Sequence, residues 1–83
     1  MQTLKIKIEA FGAIERNLPQ VLEIRCNSGQ SVADVLDQVA QDYPESNLLL
    51  QRCACAIGED IIPRQAILRQ DSTLVLLSPV AGG

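Results

Sequence analysis

Val32, Val35, Leu36, Val39, Ala40 and Tyr43 recur at intervals of three and four residues. That spacing stacks them along one face of an amphipathic helix of about three turns. The helix has a marked start and a marked stop. Asn27-Ser28-Gly29-Gln30 is a turn, and Ser31 followed three residues later by Asp34 is a capping box with Asp in the usual Glu position. Pro44 ends the element, because the residue before a proline is pushed out of the helical region. A single helix with one apolar face has to be covered by another layer, and the rest of the chain offers strands to do it.

Residues Leu4 to Ala10 alternate strictly, so Leu4, Ile6, Ile8 and Ala10 face a core while Lys5, Lys7 and Glu9 face water. Gly12 to Gln20, with Asn17-Leu18-Pro19, reads as a loop. Val21 to Cys26 alternates again with Leu22, Ile24 and Cys26 inward, and the short connection pairs the two strands as an antiparallel hairpin. After the helix, Glu45 to Arg52 crosses back, with Leu48-Leu49-Leu50 plugging one end of the core. Cys53 to Ile57 is a strand with Cys53, Cys55 and Ile57 on one face. Gly58-Glu59-Asp60 turns, Pro63 forbids a long central strand nearby, and Ala66 to Leu68 is either a very short strand or a turn. Gln70-Asp71-Ser72 leads into a final strand, Thr73 to Ser78. An α+β domain over residues 1–78 follows, with first and last strands able to lie parallel because the intervening chain is long enough for a crossover. Leu74 and Leu76 would then face the helix and Val75, Leu77 and Pro79 the open side; the run is apolar throughout, so the opposite facing stays open.

Residues 79–83, Pro79-Val80-Ala81-Gly82-Gly83, form a tail that leaves the last strand without a linker. Its final glycines carry no side chains and tolerate almost any backbone angles, so the tail can thread a narrow channel and present a terminal carboxylate. Fully extended, it reaches about 17 Å. The composition narrows what such a scaffold does. With 83 residues, 47% hydrophobic and 20% charged, the chain is a globular domain with a thin core. It has no His, the commonest general base and metal ligand. Its seven basic residues are scattered, and one Tyr, one Phe and no Trp give no stacking platform, which argues against nucleic-acid binding. No apolar run approaches the roughly 20 residues of a membrane span. The alternating N-terminus is neither signal nor transit peptide, so a cytoplasmic location is expected. Cys26, Cys53 and Cys55 read as small buried apolar residues; they are too few for a four-ligand zinc site without His.

The element order, the capped helix ending at Tyr43-Pro44 and the last strand running into Gly82-Gly83 together resemble the ubiquitin-like β-grasp fold. That fold is a mixed four- to five-stranded sheet with one main helix on one face. Asp71-Ser72-Thr73-Leu74 resembles the corresponding approach in ubiquitin. The ending Ser78-Pro79-Val80-Ala81-Gly82-Gly83 is similar to that of the molybdopterin synthase small subunits, commonly Pro-Pro-Val-(Ala or Thr)-Gly-Gly. There are departures: Ser78 stands for the commoner first Pro, Gly58 for a frequent Asn, and Arg16 lies one position late for a Phe-x-x-x-Arg pattern starting at Phe11.

The resemblance implies a sulfur carrier with no stably bound cofactor. An ATP-dependent activating enzyme, using ATP and Mg, adenylates Gly83, and a sulfur donor converts it to a thiocarboxylate. The tail residues Pro79, Val80, Ala81 and Gly82 insert into a large subunit within a heterotetramer. Strand geometry, rather than the resemblance, makes Phe11, Val75 and Leu77 the partner surface, with Pro79 beside them. The large subunit supplies the catalytic side chains. Competing readings are a sulfur carrier for the thiamin thiazole or another sulfur-transfer pathway, a modifier joined to lysines through Gly83, and a non-covalent β-grasp interaction module.

Overall fold

The computed structural model describes residues 2–78. Strand β1 (Thr3–Phe11) pairs antiparallel with β2 (Leu22–Asn27), from Thr3 opposite Asn27 to Ile8 opposite Leu22. The last strand, β5 (Ser72–Leu77), lies parallel to β1 on its other side, from Ile6 opposite Ser72 to Phe11 opposite Leu77. Beyond β5 come β3 (Ala54–Ile57) and β4 (Asp60–Ile62), giving a mixed five-stranded sheet in the order β2-β1-β5-β3-β4. Helix α1 (Val32–Asp42) buries Val32, Val35, Leu36 and Val39 in the same cluster as Leu4, Ile6, Ile8, Leu74 and Leu76 from the sheet. This is the β-grasp arrangement that the resemblance implies.

The N-terminus of α1 is closed by the chain itself. The Ser31 hydroxyl accepts from the Asp34 N–H at 3.2 Å, and the Asp34 carboxylate accepts from the Ser31 N–H at 3.0 Å. The next two donors are satisfied from the far end of the sequence. Val32 N–H donates to the Ala66 carbonyl and Ala33 N–H to the Arg64 carbonyl, each at 2.9 Å. The 66–68 segment is therefore neither a strand of the main sheet nor a free turn. It forms a single bridge, Ile67 opposite Ser31, and buries Leu68.

Several expectations are corrected. The 12–20 loop contains a 3-10 helix, Ala13–Asn17, and contributes Ile14 and Leu18 to the core. Their four-residue spacing is a helical signal that the Asn17-Leu18-Pro19 breaker hides. Residues 45–52, read only as a crossing segment, are helical: Pro44 opens a 3-10 turn (Pro44–Ser46), followed by a second helix, α2 (Asn47–Arg52). Of its leucines Leu50 is buried and Leu49 partly so, while Leu48 is 74% exposed, so the plug is mainly one residue. Asp60 belongs to β4 rather than to the turn. Ile57 and Asp60 pair directly around Gly58-Glu59, with Gly58 at φ 63, the position where a two-residue II′ loop requires glycine. β2 starts one residue late, leaving Val21 81% exposed.

Replacing Ser31 by Ala removes one half of the capping box and is expected to cost about 1 kcal/mol. Thermal unfolding followed by circular dichroism checks this, with a drop in Tm of about 4–8 °C for a domain of this size.

Candidate functional site

The helix-free face of the sheet is divided along its length. Register places Phe11, Leu77 and Ala54 in one cross-strand row, and Glu9, Val75, Ala56 and Ile61 in the next. Phe11 is 50% exposed, Ile61 67% and Leu77 38%, so these rows form an apolar patch open to solvent. Towards the other end of the same face the rows turn polar: Lys7 lies between Glu23 and Thr73, and Lys5 lies opposite Arg25. The side on which β5 places its residues is now fixed. Leu74 and Leu76 are fully buried under α1, and Val75 and Leu77 stand on the open face beside Phe11. The structure thus brings together Phe11, Val75 and Leu77. The other residues singled out in the sequence, Pro79, Val80, Ala81, Gly82 and Gly83, lie outside the described residues.

The last described residue, Ser78, is held hard against the start of the 12–17 turn. Its N–H donates to the Phe11 carbonyl at 3.0 Å, and its hydroxyl donates to the same carbonyl at 3.0 Å. The Ser78 Oγ also accepts from the Ile14 N–H at 2.9 Å. Between those partners sits Gly12 at φ 88, where a Cβ would lie 2.4 Å from the Ser78 carbonyl oxygen and 2.6 Å from its Oγ. Only glycine fits this contact. Sequence reasoning noted Ser78 as a departure from proline but gave Ser78, Gly12 and Ile14 no role. Their contacts span more than sixty positions, so local patterning could not pair them.

Beside the patch, an open groove of about 310 Å³ is lined by Glu9, Ala10, Phe11, Glu15, Pro19 and Gln20. It offers two carboxylates but no thiol, hydroxyl or amine nucleophile. Among the described residues no group of three His, Cys, Asp or Glu side chains is placed to hold a metal ion. Among the described residues no helix is long and apolar enough to cross a membrane. The cysteines are buried, free thiols. The Cys53 Sγ lies 3.1 Å from the Leu49 carbonyl, and burial, reinforced by neighbouring Cys55 and opposed by Arg64, pushes its pKa up to about 11. Burial likewise raises Cys55 against the opposing pull of Arg64, and raises Cys26 with help from Asp34. None of the three is a poised thiolate. Arg64 serves the backbone, its guanidinium donating to the Leu50 carbonyl and, at 2.8 Å, to the Cys53 carbonyl where α2 ends.

A family model described as the ThiS family matches residues 11–83, from Phe11 on the open face through the final glycine. The chain belongs to the ThiS family. A molybdopterin synthase sulfur carrier subunit from Mycobacterium tuberculosis is 27% identical to it over 82 residues, covering 96% of this chain and 99% of that one. Among solved structures, the fold matches small archaeal modifier protein 1 of Haloferax volcanii with a TM-score of 0.76 at 12% identity, covering 93% of this chain and 99% of that one. It also matches a protein-protein complex of subunits 1 and 2 of the molybdopterin-converting factor from Helicobacter pylori. There the TM-score is 0.65 at 22% identity, with coverage of 96% and 100%. These structural likenesses show that the chain shares its β-grasp fold with both proteins.

Cysteine burial in this ThiS-family chain has a consequence with a definite sign. The folded Cys53 keeps its proton up to about 11 where an ordinary thiol ionises near 9.0. A raised folded pKa favours the folded state below the ordinary value, and that contribution is lost as pH rises through the folded value. Stability is therefore expected to fall between pH 9 and 11, read as a declining denaturation midpoint, and all three thiols should resist alkylation until the chain unfolds.

Proposed function

We propose that this chain is a sulfur carrier and the small subunit of molybdopterin synthase, acting through Gly83. The observation that carries the reading is the ThiS-family match running to the terminal Gly82-Gly83. The Mycobacterium tuberculosis relative supports the choice of pathway. The chain itself supplies no His, and its cysteines are buried as protonated thiols, which suits a carrier whose reactive group is the terminus.

A free carboxylate resists substitution because its oxygen is a poor leaving group. In the proposed cycle the Gly83 carboxylate oxygen attacks the α-phosphorus of ATP, bound with Mg by an activating enzyme. Pyrophosphate leaves and an acyl-adenylate forms. A persulfide sulfur then attacks the acyl carbon and displaces AMP, giving an acyl disulfide. A thiol reduces that disulfide and leaves the thiocarboxylate on Gly83. The tail, Pro79 to Gly82, delivers it into the large subunit, which acts on a cyclic pyranopterin precursor within a heterotetramer. The apolar patch of Phe11, Val75 and Leu77 docks the large subunit, and its position at the tail-bearing end of the sheet supports that role.

Intact-mass analysis tests the carrier chemistry. Incubation with the activating enzyme of the same organism, ATP and a sulfur donor is expected to add the mass difference between sulfur and oxygen, and deletion of Gly83 to abolish it. A wild-type chain left unchanged by a competent activating enzyme would sink the carrier reading. Leu77→Asp tests the docking surface. Because Leu77 is already 38% exposed, the variant should stay folded while its affinity for the large subunit drops at least about tenfold, as for a central interface anchor. Calorimetric titration reads the change.

A further inference from the structure

We infer that Ser78 is a positioning residue for sulfur transfer: its hydroxyl, locked over Gly12, fixes the point and heading from which the Gly83-bearing tail leaves the sheet. The inference rests on the carrier reading above and adds a residue that the reading does not use.

The β1–β5 ladder ends at Phe11 opposite Leu77. Without further contacts the chain would come loose there. Instead the Ser78 N–H continues the ladder by one bond to the Phe11 carbonyl, and the side chain adds two more bonds, to Phe11 and Ile14 on either side of Gly12. A lone backbone bond at a strand end can swivel. Bonds from both main chain and side chain cannot all be kept if the residue rotates, so Ser78 is fixed in direction as well as place. Gly12 makes this possible, because any Cβ there would occupy the space of the Ser78 carbonyl and hydroxyl oxygens.

The contact differs in kind from what a proline at this position would offer. Proline restricts its own φ but has no N–H to donate and no hydroxyl to accept from Ile14. At position 78 this chain replaces a stiff ring with a hydrogen-bonded rivet. From a root fixed at Ser78, Gly83 can be carried at most about 17 Å; freeing residue 78 moves the root back to Leu77, which both ladders hold, and extends the reach to about 20 Å. The volume searched grows as the cube of the reach, so the effective concentration of Gly83 at a fixed target falls about 1.7-fold, before any loss of heading.

The test compares wild-type, Ser78→Ala and Ser78→Thr carriers in the complete system of activating enzyme, large subunit and pyranopterin precursor. Single-turnover sulfur transfer from pre-formed thiocarboxylate is the main readout, beside affinity for the large subunit and Tm. Ser78→Ala is expected to slow transfer at least about 1.7-fold, while affinity for the large subunit is unchanged because the residues of the patch are untouched. Ser78→Thr, which keeps the hydroxyl, should restore the rate. Amide hydrogen exchange at Ile14 should accelerate in the Ala variant only, showing that the bond itself was lost. Equal transfer rates for Ala and wild-type would overturn the positioning role and leave the carrier reading standing. A rate loss matched by an equal loss of affinity, or one not rescued by Thr, also overturns it. A wild-type chain that forms no thiocarboxylate removes the carrier reading, and the positioning role with it.

Discussion

The parallel pairing of β1 with β5 is the interaction on which the rest depends. It joins the two ends of the sequence at the centre of the sheet, from Ile6 beside Ser72 to Phe11 beside Leu77. Core packing follows from it. Ile6, Ile8, Leu74 and Leu76 come from segments about seventy positions apart, yet they make one surface for α1. The surface patch follows as well, because the pairing that buries alternate residues of both strands sends Phe11, Val75 and Leu77 to the opposite side together. Such a contact closes nearly the whole chain into one loop, and its entropic cost is met only once the long-range apolar contacts form with it.

Strand β5 shows why a uniformly apolar run is ambiguous alone and decided in context. Leu74-Val75-Leu76-Leu77 has no polar residue to mark a wet face. Its neighbour β1 does, with Lys5, Lys7 and Glu9 alternating against Leu4, Ile6 and Ile8. In-register pairing transfers that polarity across the ladder: Val75 must share a face with Glu9, and Leu74 with Ile8. An apolar residue on a face that its neighbour marks as solvated stays exposed in the isolated chain. Pairing, rather than any polar marker of its own, thus decides which residues of an all-apolar strand are left facing water.

Much of this was legible in the sequence. The capping box at Ser31, the stripe from Val32 to Tyr43 and the stop at Pro44 are local features, and each is present as its spacing implied. So is the alternation of β1 and β2. What could not be read was long-range or masked by short-range signals. Ile14 and Leu18 sit among loop-forming residues, and α2 follows a proline that reads as an end rather than a beginning. Arg64 and Ala66 complete the first turn of α1 through their carbonyls, which every residue possesses and no side-chain pattern reveals. The candidate site divides in the same way. The face residues follow from alternation once pairing is known, whereas the lock between Gly12 and Ser78 depends on two strand ends arriving at one corner.

The central place of β5 also has a mechanical meaning. The strand that carries the tail is bonded on one side to β1 and on the other to β3, so it has no free edge. Traction applied to the C-terminus acts along the strand axis, and both ladders would have to slide past their partners together. A strand loaded at its edge can be peeled one bond at a time; one pulled lengthwise between two neighbours must yield all at once. The fold is thereby most resistant to unravelling at the place where such a load would enter.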